Sequence, residues 1–590
     1  MEIIYTLTLV TLLILHILVY KTKTKQNILK WFAIGIMLIF CYNILICVIL
    51  SFMGISSNLL NLSIINLVVI AFFIYSIRKT KKIQKYFINK MDIIALVLMI
   101  IITIIITICY YGFPINIRSH ITDAAVHYFS ANEFYTNSQL LFKENSDIMN
   151  LFDLQFLMPG SYINTGILFK MLAPIVSNTY FSIAFIIFNL FIWFLSGILM
   201  YSLLSKNKHK EKDKILPLIF AIIYMLAYPL DSLFSGFSYL TLGLNIIITI
   251  LIVCQEKTNK NFKNILLFLL NFGIMFSYYY FAPIVYLAIF LQIIHNSLKK
   301  KEKLLNINNI VRIVITLIIP GLFGIIYFVI FQMIRYSGLP EEGYMGILGI
   351  QGDIYKNLFT NICIFLILSL IIIFKKKTLN IESKMLILNI IFTGIFFIGM
   401  KQNIVSEYYY YKTYYLLWVF VICVAFRFVD YFKNRHKVMT YLFVIAYCIC
   451  IPLSIILKNN LLFFDIYLYN SVSVRDDLLL IKNNELEVLE YYNNNLNKAN
   501  MLDKTYMCVA WCYGRNMWIY ALTGNFYNYI DTSYGEPTIN LQNFIKSDFE
   551  YFALLKDDFS GNYDELPKEI TENNLNVLFS NDVGMIISKN

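Results

Sequence analysis

Charge is scarce in this chain: only 14% of its 590 residues are Asp, Glu, Lys or Arg, against 59% hydrophobic residues and a mean hydropathy of +0.66. That shortage excludes a soluble globular protein and leaves repeated charge-free runs of the length a bilayer-spanning helix needs. Phosphate-cradling glycine loops, dinucleotide fingerprints and zinc-protease motifs are all missing, which argues against a primary pump or a membrane metalloprotease. No strong internal repeat is present. The first apolar run, Ile3 to Tyr20, lacks a basic leader and a small-residue cleavage site, so it reads as a retained span rather than a removed signal peptide. Nothing resembles a nucleic-acid module. The ten cysteines form no framework, because residues such as Cys41, Cys47, Cys423, Cys448 and Cys450 fall inside apolar runs as small core side chains. Cys508 and Cys512 lie in a polar tail and could pair if that tail is outside the cytoplasm; zinc is disfavoured because no second ligand pair accompanies them.

Hydropathy places about fourteen spans, at 3–20, 28–50, 59–77, 92–112, 178–204, 215–229, 238–254, 262–278, 281–298, 311–334, 357–374, 384–400, 413–429 and 438–457. Residues 1–457 form an all-α polytopic transmembrane domain on this reading. The net charge of +12 conceals an asymmetry. From Lys458 onward there are 10 basic and 18 acidic side chains, net −8, while residues 1–457 carry 38 and 18, net +20. The basic side chains cluster after alternate spans (Arg78 to Lys90, Lys206 to Lys214, Lys257 to Lys263, Lys299 to Lys303, Lys375 to Lys377, Lys433 to Lys437), and the intervening turns are nearly bare. Clusters of that kind report orientation: with all of them cytoplasmic, the N-terminus and the tail are extracytoplasmic. Parity then makes residues 158–176, with Pro159, Gly160, Lys170 and Pro174, a re-entrant or interfacial helix rather than a span. The tail, 458–590, reads as a small extracytoplasmic α/β domain, with a helix over 483–496, a strand over 506–513 and two strands over 577–588 broken at Asn581-Asp582.

The ionisable residues concentrate in outward loops. The run Arg118-Ser119-His120-Ile121-Thr122-Asp123-Ala124-Ala125-Val126-His127 opens a long loop, 113–158, that directly follows the span ending near Gly112. Asp123 and His127 are four apart, so a short helix sets both on one face, where a carboxylate and an imidazole can share a proton or a divalent cation such as Mg or Mn. The plainer alternatives are an N-cap for Asp123 and an interfacial side chain for His127. Pro229-Leu230-Asp231 begins a second outward loop. A third, Arg335 to Asp353, carries Glu341, Glu342 and several glycines. The last runs from Met400 to Lys412 and contains Lys401, Glu407 and the tyrosine run Tyr408 to Tyr411 ahead of Lys412. Lys412 either snorkels from a helix end or binds phosphate, with Tyr411 beside it and Arg335 assisting. Arg118, Asp231, Glu341 and Glu407 are weaker substrate-binding candidates, and Glu133 and Asp153 read as solvated loop acids.

This layout resembles GT-C type glycosyltransferases, polytopic enzymes that move a sugar from a polyprenyl phosphate to an acceptor outside the cytoplasm. Asp123-Ala-Ala-Val-His127-Tyr, followed by Met158-Pro159-Gly160, is similar to a D-x-x-x-H motif of bacterial cell-wall members, relatives of the arabinofuranosyltransferases. The Tyr408 to Lys412 run is similar to their tyrosine-and-lysine segment before a late helix. Here the acid follows about four spans, whereas many members place it after the first. The resemblance implies a polyprenyl-phosphate sugar donor, a glycan or protein acceptor, Asp123 as general base and Lys412 at the donor phosphate. The rival readings are a lipid-linked saccharide flippase, a polysaccharide polymerase or ligase, and a non-catalytic surface module. Abundant Ile, Lys and Asn points to an AT-rich genome and a bacterial cell envelope.

Overall fold

The protein is described from a computed structural model, over residues 1–19, 26–80, 86–119, 122–140, 158–206, 208, 210–256, 260–299, 301, 306–328, 358–375, 380–405, 407–433, 438, 480–496, 504–508, 513–524, 537–555 and 565–589. Ten helices among these residues are long and apolar enough to cross a membrane, and two shorter apolar ones, Glu2–Leu18 and Ile362–Lys375, accompany them. The chain is therefore an all-helical membrane bundle with a small mixed α/β section at its C-terminal end. The apolar stretch Lys260–Lys299 would be about 60 Å long as one helix, twice the hydrocarbon thickness of about 30 Å. It breaks where expected: a single 3-10 turn, Tyr279–Phe281, separates Lys260–Tyr278 from Ala282–Lys299. The helix starting at Ile307 passes through a π-turn at Val314–Ile318. The expected span at 438–457 lies outside the described residues apart from residue 438.

Buried helices carry polar residues that satisfy each other across the bundle. Asn43 donates to Asn164 at 3.2 Å, and Asn245 Nδ2 reaches the carbonyl of Ile192 at 2.8 Å. The Pro159–Leu172 segment is one continuous helix, buried along most of its length. At 14 residues it is about 21 Å long, too short to span. Two glycines let it wedge in. A Cβ on Gly166 would lie 2.8 Å from the Ala131 carbonyl oxygen, and one on Gly160 would lie 2.9 Å from that of Phe276. It thereby presses the Thr122–Asn137 helix on one side and the Lys260–Tyr278 helix on the other.

The C-terminal section holds a four-stranded sheet in the order Thr505–Cys508, Tyr551–Leu555, Gly584–Ser588, Asn576–Asn581, with only the first pair parallel. The expected helix, Asn483–Asn495, and the terminal hairpin are both present. The strand expected over 506–513 is present as Thr505–Cys508 and corrected at its far end: Tyr513 opens a helix, Tyr513–Thr523, buried from Trp518 onward. That helix stacks Trp518 on Tyr128 (5.8 Å) and Tyr520 on Phe129 (5.5 Å). A two-residue ladder pairs Ile117 with Ile481 and Arg118 with Leu480. The sheet has a small core of its own around Tyr506, Phe544 and Phe552, while Trp518, Tyr520 and Ile586 belong to the core of the bundle. Cys508 is buried, with the Asn540 amide 3.0 Å from its sulfur, and Cys512 lies outside the described residues.

Candidate active site

The polar run after Gly112 folds as a helix, Thr122–Asn137, with Asp123 in its first turn rather than at the cap. Four-residue spacing puts His127 one turn along the same face. Burial of the Asp123 carboxyl pushes its pKa above the ordinary 3.8, and the ammonium of Lys412 pulls it partly back. His127 is buried, and burial together with the same ammonium pushes it down to about 3. The imidazole is therefore neutral at physiological pH, and its Nδ1 has no hydrogen-bond partner.

Lys412 comes from far along the chain. The sequence suggested a loop from Met400 to Lys412; instead, one helix runs to Lys401 and the next, Glu407–Lys433, already includes the tyrosine run. Lys412 is thus carried on a rigid helix and is only 1% exposed. Its Nζ donates to the Tyr239 hydroxyl at 2.7 Å and stands 4.3 Å from the ring centre of Phe237, 5.2 Å from that of Tyr239 and 5.9 Å from that of Tyr278. Aromatic faces stabilise a desolvated ammonium by cation–π attraction without neutralising it. The Tyr239 ring also meets His127, centre to centre at 4.5 Å. Tyr239 therefore links the two halves of the site.

Asp231 belongs to the same region, but not as a loop acid. Pro229 sits in the first turn of a short buried helix, Tyr228–Phe234, a position that suits a residue with no backbone N–H. Asp231 is 4% exposed. One carboxylate oxygen accepts a hydrogen bond from Tyr415, one turn beyond Lys412 on the same helix; the other, Oδ1, has no partner. The chain then turns into the helix Ser238–Gln255, which directly follows Phe237. The Ser238 hydroxyl and the hydroxyl of buried Tyr278 also lack partners.

The remaining candidates divide. Arg118 is buried and committed to local structure: Nε donates to the Tyr110 carbonyl at 2.6 Å, with the guanidinium over the Tyr110 ring. Tyr411 is half-buried and packs on Tyr410 and Tyr414. Glu407 is the first residue of its helix. Glu133, on the Asp123 helix, takes a hydrogen bond from Asn137 at 3.0 Å. Arg335, Glu341 and Asp153 lie outside the described residues. Among the described residues no group of three or more His, Cys, Asp or Glu converges as metal ligands. Phe237, Tyr239, Tyr278 and Tyr415 were not singled out by sequence. Their one signal is aromatic runs at span ends, the same signal that drew attention to Tyr408–Tyr411.

No family model matches the sequence, and no curated protein matches it significantly.

Proposed function

We propose that the chain is a membrane glycosyltransferase of GT-C type, moving a sugar from a polyprenyl-phosphate donor to a hydroxyl of a cell-envelope glycan or protein acceptor. The observation that carries this reading is the seating of Lys412 against the rings of Phe237, Tyr239 and Tyr278, with His127 of the Asp123 helix against the same Tyr239. The lysine clusters at the opposite end are taken as cytoplasmic, which puts the site at the outer surface of a bacterial cell membrane.

A glycosyl phosphate already carries a good leaving group. What remains is to remove a proton from the acceptor hydroxyl and to hold the departing negative charge. Asp123, with its pKa raised by burial, is a better base than a solvated carboxylate. As the acceptor oxygen bonds to the anomeric carbon, its proton passes to Asp123 and the bond from that carbon to the phosphate oxygen breaks. Lys412 and the N-terminal N–H groups of the Ser238–Gln255 helix receive the phosphate, one by full charge and the others by oriented dipoles. A single displacement of this kind inverts the anomeric centre. Neutral His127 positions the acceptor or donor by hydrogen bonding. The positive charge of Lys412 supplies the role a divalent cation would otherwise fill, so none is needed for any step written here.

The test uses the full chain in lipid nanodiscs with radiolabelled polyprenyl-phosphate monosaccharides. Transfer or sugar release by the unsubstituted protein, lost in Asp123→Asn, is the expected result. Undiminished turnover in Asp123→Asn removes Asp123 as the base. Movement of the lipid-linked sugar across vesicles without turnover replaces the reading with a flippase.

A further inference from the structure

Most buried polar atoms in proteins have a hydrogen-bond partner, and those that lack one call for an explanation. Two side chains beside the Lys412–Tyr239 pair carry such atoms, the Tyr278 hydroxyl at the end of Lys260–Tyr278 and His127 Nδ1 on the loop helix; a third, Asp231 Oδ1, is on the short helix that packs on the Lys412 helix. Each of these side chains is more than nine-tenths buried. Leaving a buried donor or acceptor unmade costs about 1–3 kcal/mol, and more for a charged group, so these three are expensive unless a ligand completes them.

His127 and Tyr278 share one neighbour. The His127 ring lies 4.5 Å from Tyr239, the Tyr278 ring 5.6 Å from the same Tyr239, and Tyr239 holds the Lys412 ammonium. Asp231 is held by the hydroxyl of Tyr415, which stands one helical turn from Lys412 on the same helix, and its Oδ1 has no partner. One helical turn is about 5.4 Å, comparable to the width of a sugar ring.

We propose that Asp231, Tyr278 and His127 form a hydroxyl-reading subsite for a neutral glycosyl group on the donor, with Asp231 as its anchor. The proposal rests on the glycosyl-transfer reading and deepens it. A carboxylate oxygen accepts only, so it pairs with sugar hydroxyls; the tyrosine hydroxyl and the neutral imidazole each complement a further hydroxyl as donor or acceptor. A second negative charge beside Asp231 would be repelled, so neutral aldoses fit and uronic acids do not. Phosphate recognition stays with Lys412 and the helix N-terminus, which separates the recognition of sugar from that of lipid phosphate.

The experiment compares binding of synthetic polyprenyl-phosphate glucose, mannose, galactose and arabinofuranose, polyprenyl-phosphate glucuronate, and bare polyprenyl phosphate to the full chain in nanodiscs. At least one neutral sugar lipid is expected to bind more tightly than bare polyprenyl phosphate, and glucuronate is not. Asp231→Asn should erase that sugar-dependent gain, roughly tenfold or more, while leaving bare polyprenyl phosphate unchanged. Tyr415→Phe removes only the rear hydrogen bond; with folding intact by thermal scan, it should retain most of the gain. If no neutral sugar adds affinity, or if Asp231→Asn weakens bare phosphate lipid equally, the subsite is overturned. The two readings fail separately: sugar-dependent binding without turnover leaves the subsite and removes the transferase, whereas turnover with no Asp231 effect on sugar binding does the reverse.

Discussion

The two ends of the helical bundle treat buried charge in opposite ways. Lys412 stands near one end of the Glu407–Lys433 helix, and Arg427, Asp430 and Lys433 stand near the other, about 27 Å along its axis. At that far end most of the ions are answered, Glu382 Oε2 being left without a partner. Asp92, 0% exposed, takes hydrogen bonds from Lys214 (2.7 Å), Tyr201 (2.8 Å), Asn27 (2.8 Å) and the backbone of Asn89 (2.9 Å). Glu256 receives Lys30 at 3.0 Å, Lys208 reaches Asp430 at 2.6 Å, and Arg427 reaches Glu382 at 2.6 Å. These pairs join residues from helices and loops far apart in sequence and clamp the bundle. At the Lys412 end the lysine is held by aromatic faces, and Asp231, Tyr278 and His127 keep atoms open. Satisfied buried charge fixes a structure; unsatisfied buried polarity waits for a ligand.

Substitutions at the two ends should have opposite consequences. Asp123→Asn keeps the shape of the side chain and removes the proposed base; the proposed glycosyl transfer should fall by a factor of about 10³ or more, with melting temperature in nanodiscs unchanged. Asp92→Ala should do the opposite. It leaves Lys214 buried and unpaired, a loss of about 3–5 kcal/mol, seen as a lowered melting temperature and poor recovery from membranes. A stable Asp92→Ala protein would refute the clamp. Lys412→Gln comes next: kcat should drop by about 10²–10³, because the leaving phosphate loses its full positive charge, while stability holds or rises as a desolvated ammonium is removed.

A smaller effect is expected where the C-terminal section touches the loop helix. Tyr520→Leu removes a stacked contact with Phe129, about 0.5–1.5 kcal/mol, which should loosen the helix that carries Asp123. A few-fold fall in kcat with an unchanged melting temperature of the bundle is the expected pattern. No change in kcat would mean that the section merely rests on the site.

The difference between the two ends also explains what sequence alone could reveal. Spans were legible because bilayer thickness imposes a minimum apolar length, and Lys260–Lys299 had to divide for the same reason. The segment at 158–176 was legible as something other than a span because Pro159, Gly160 and Lys170 interrupt it. Asp123, His127 and Lys412 stood out because an ionisable group beside an apolar run is costly and needs a reason. The aromatic box did not stand out, since tyrosines at span ends are ordinary headgroup-level residues, and nothing local marks Tyr239 as the one that meets Lys412. Asp231 was misplaced in an open loop because Pro229 signals a turn as readily as the first turn of a helix. The strand at 505–508 was legible, but its end was set as far as Tyr513, where a helix opens, because short apolar runs do not distinguish the two periods.

The last and smallest effect concerns protons at the open end. Burial holds the Asp123 carboxyl above its ordinary 3.8, and only the carboxylate form can take the acceptor proton. Transfer should therefore be at its plateau above the raised pKa and decline as pH falls through it, giving an acid limb displaced upward from the ordinary carboxylate value. His127, pushed down to about 3, titrates far below its ordinary 6.5 and contributes no step near neutrality, so His127→Gln should leave the limb in place even where it lowers the plateau. Lys412 acts on Asp123 in the opposite sense to burial. Removing its charge in Lys412→Gln takes away the attraction that favours the carboxylate, so the residual activity should show the limb at still higher pH, by one unit for each ~1.4 kcal/mol of attraction lost. The measurement is kcat/KM between pH 4 and 9 at fixed ionic strength, for the unsubstituted chain and both variants. A limb that moves to lower pH in Lys412→Gln would assign the titration to a different group, and with it the role of base.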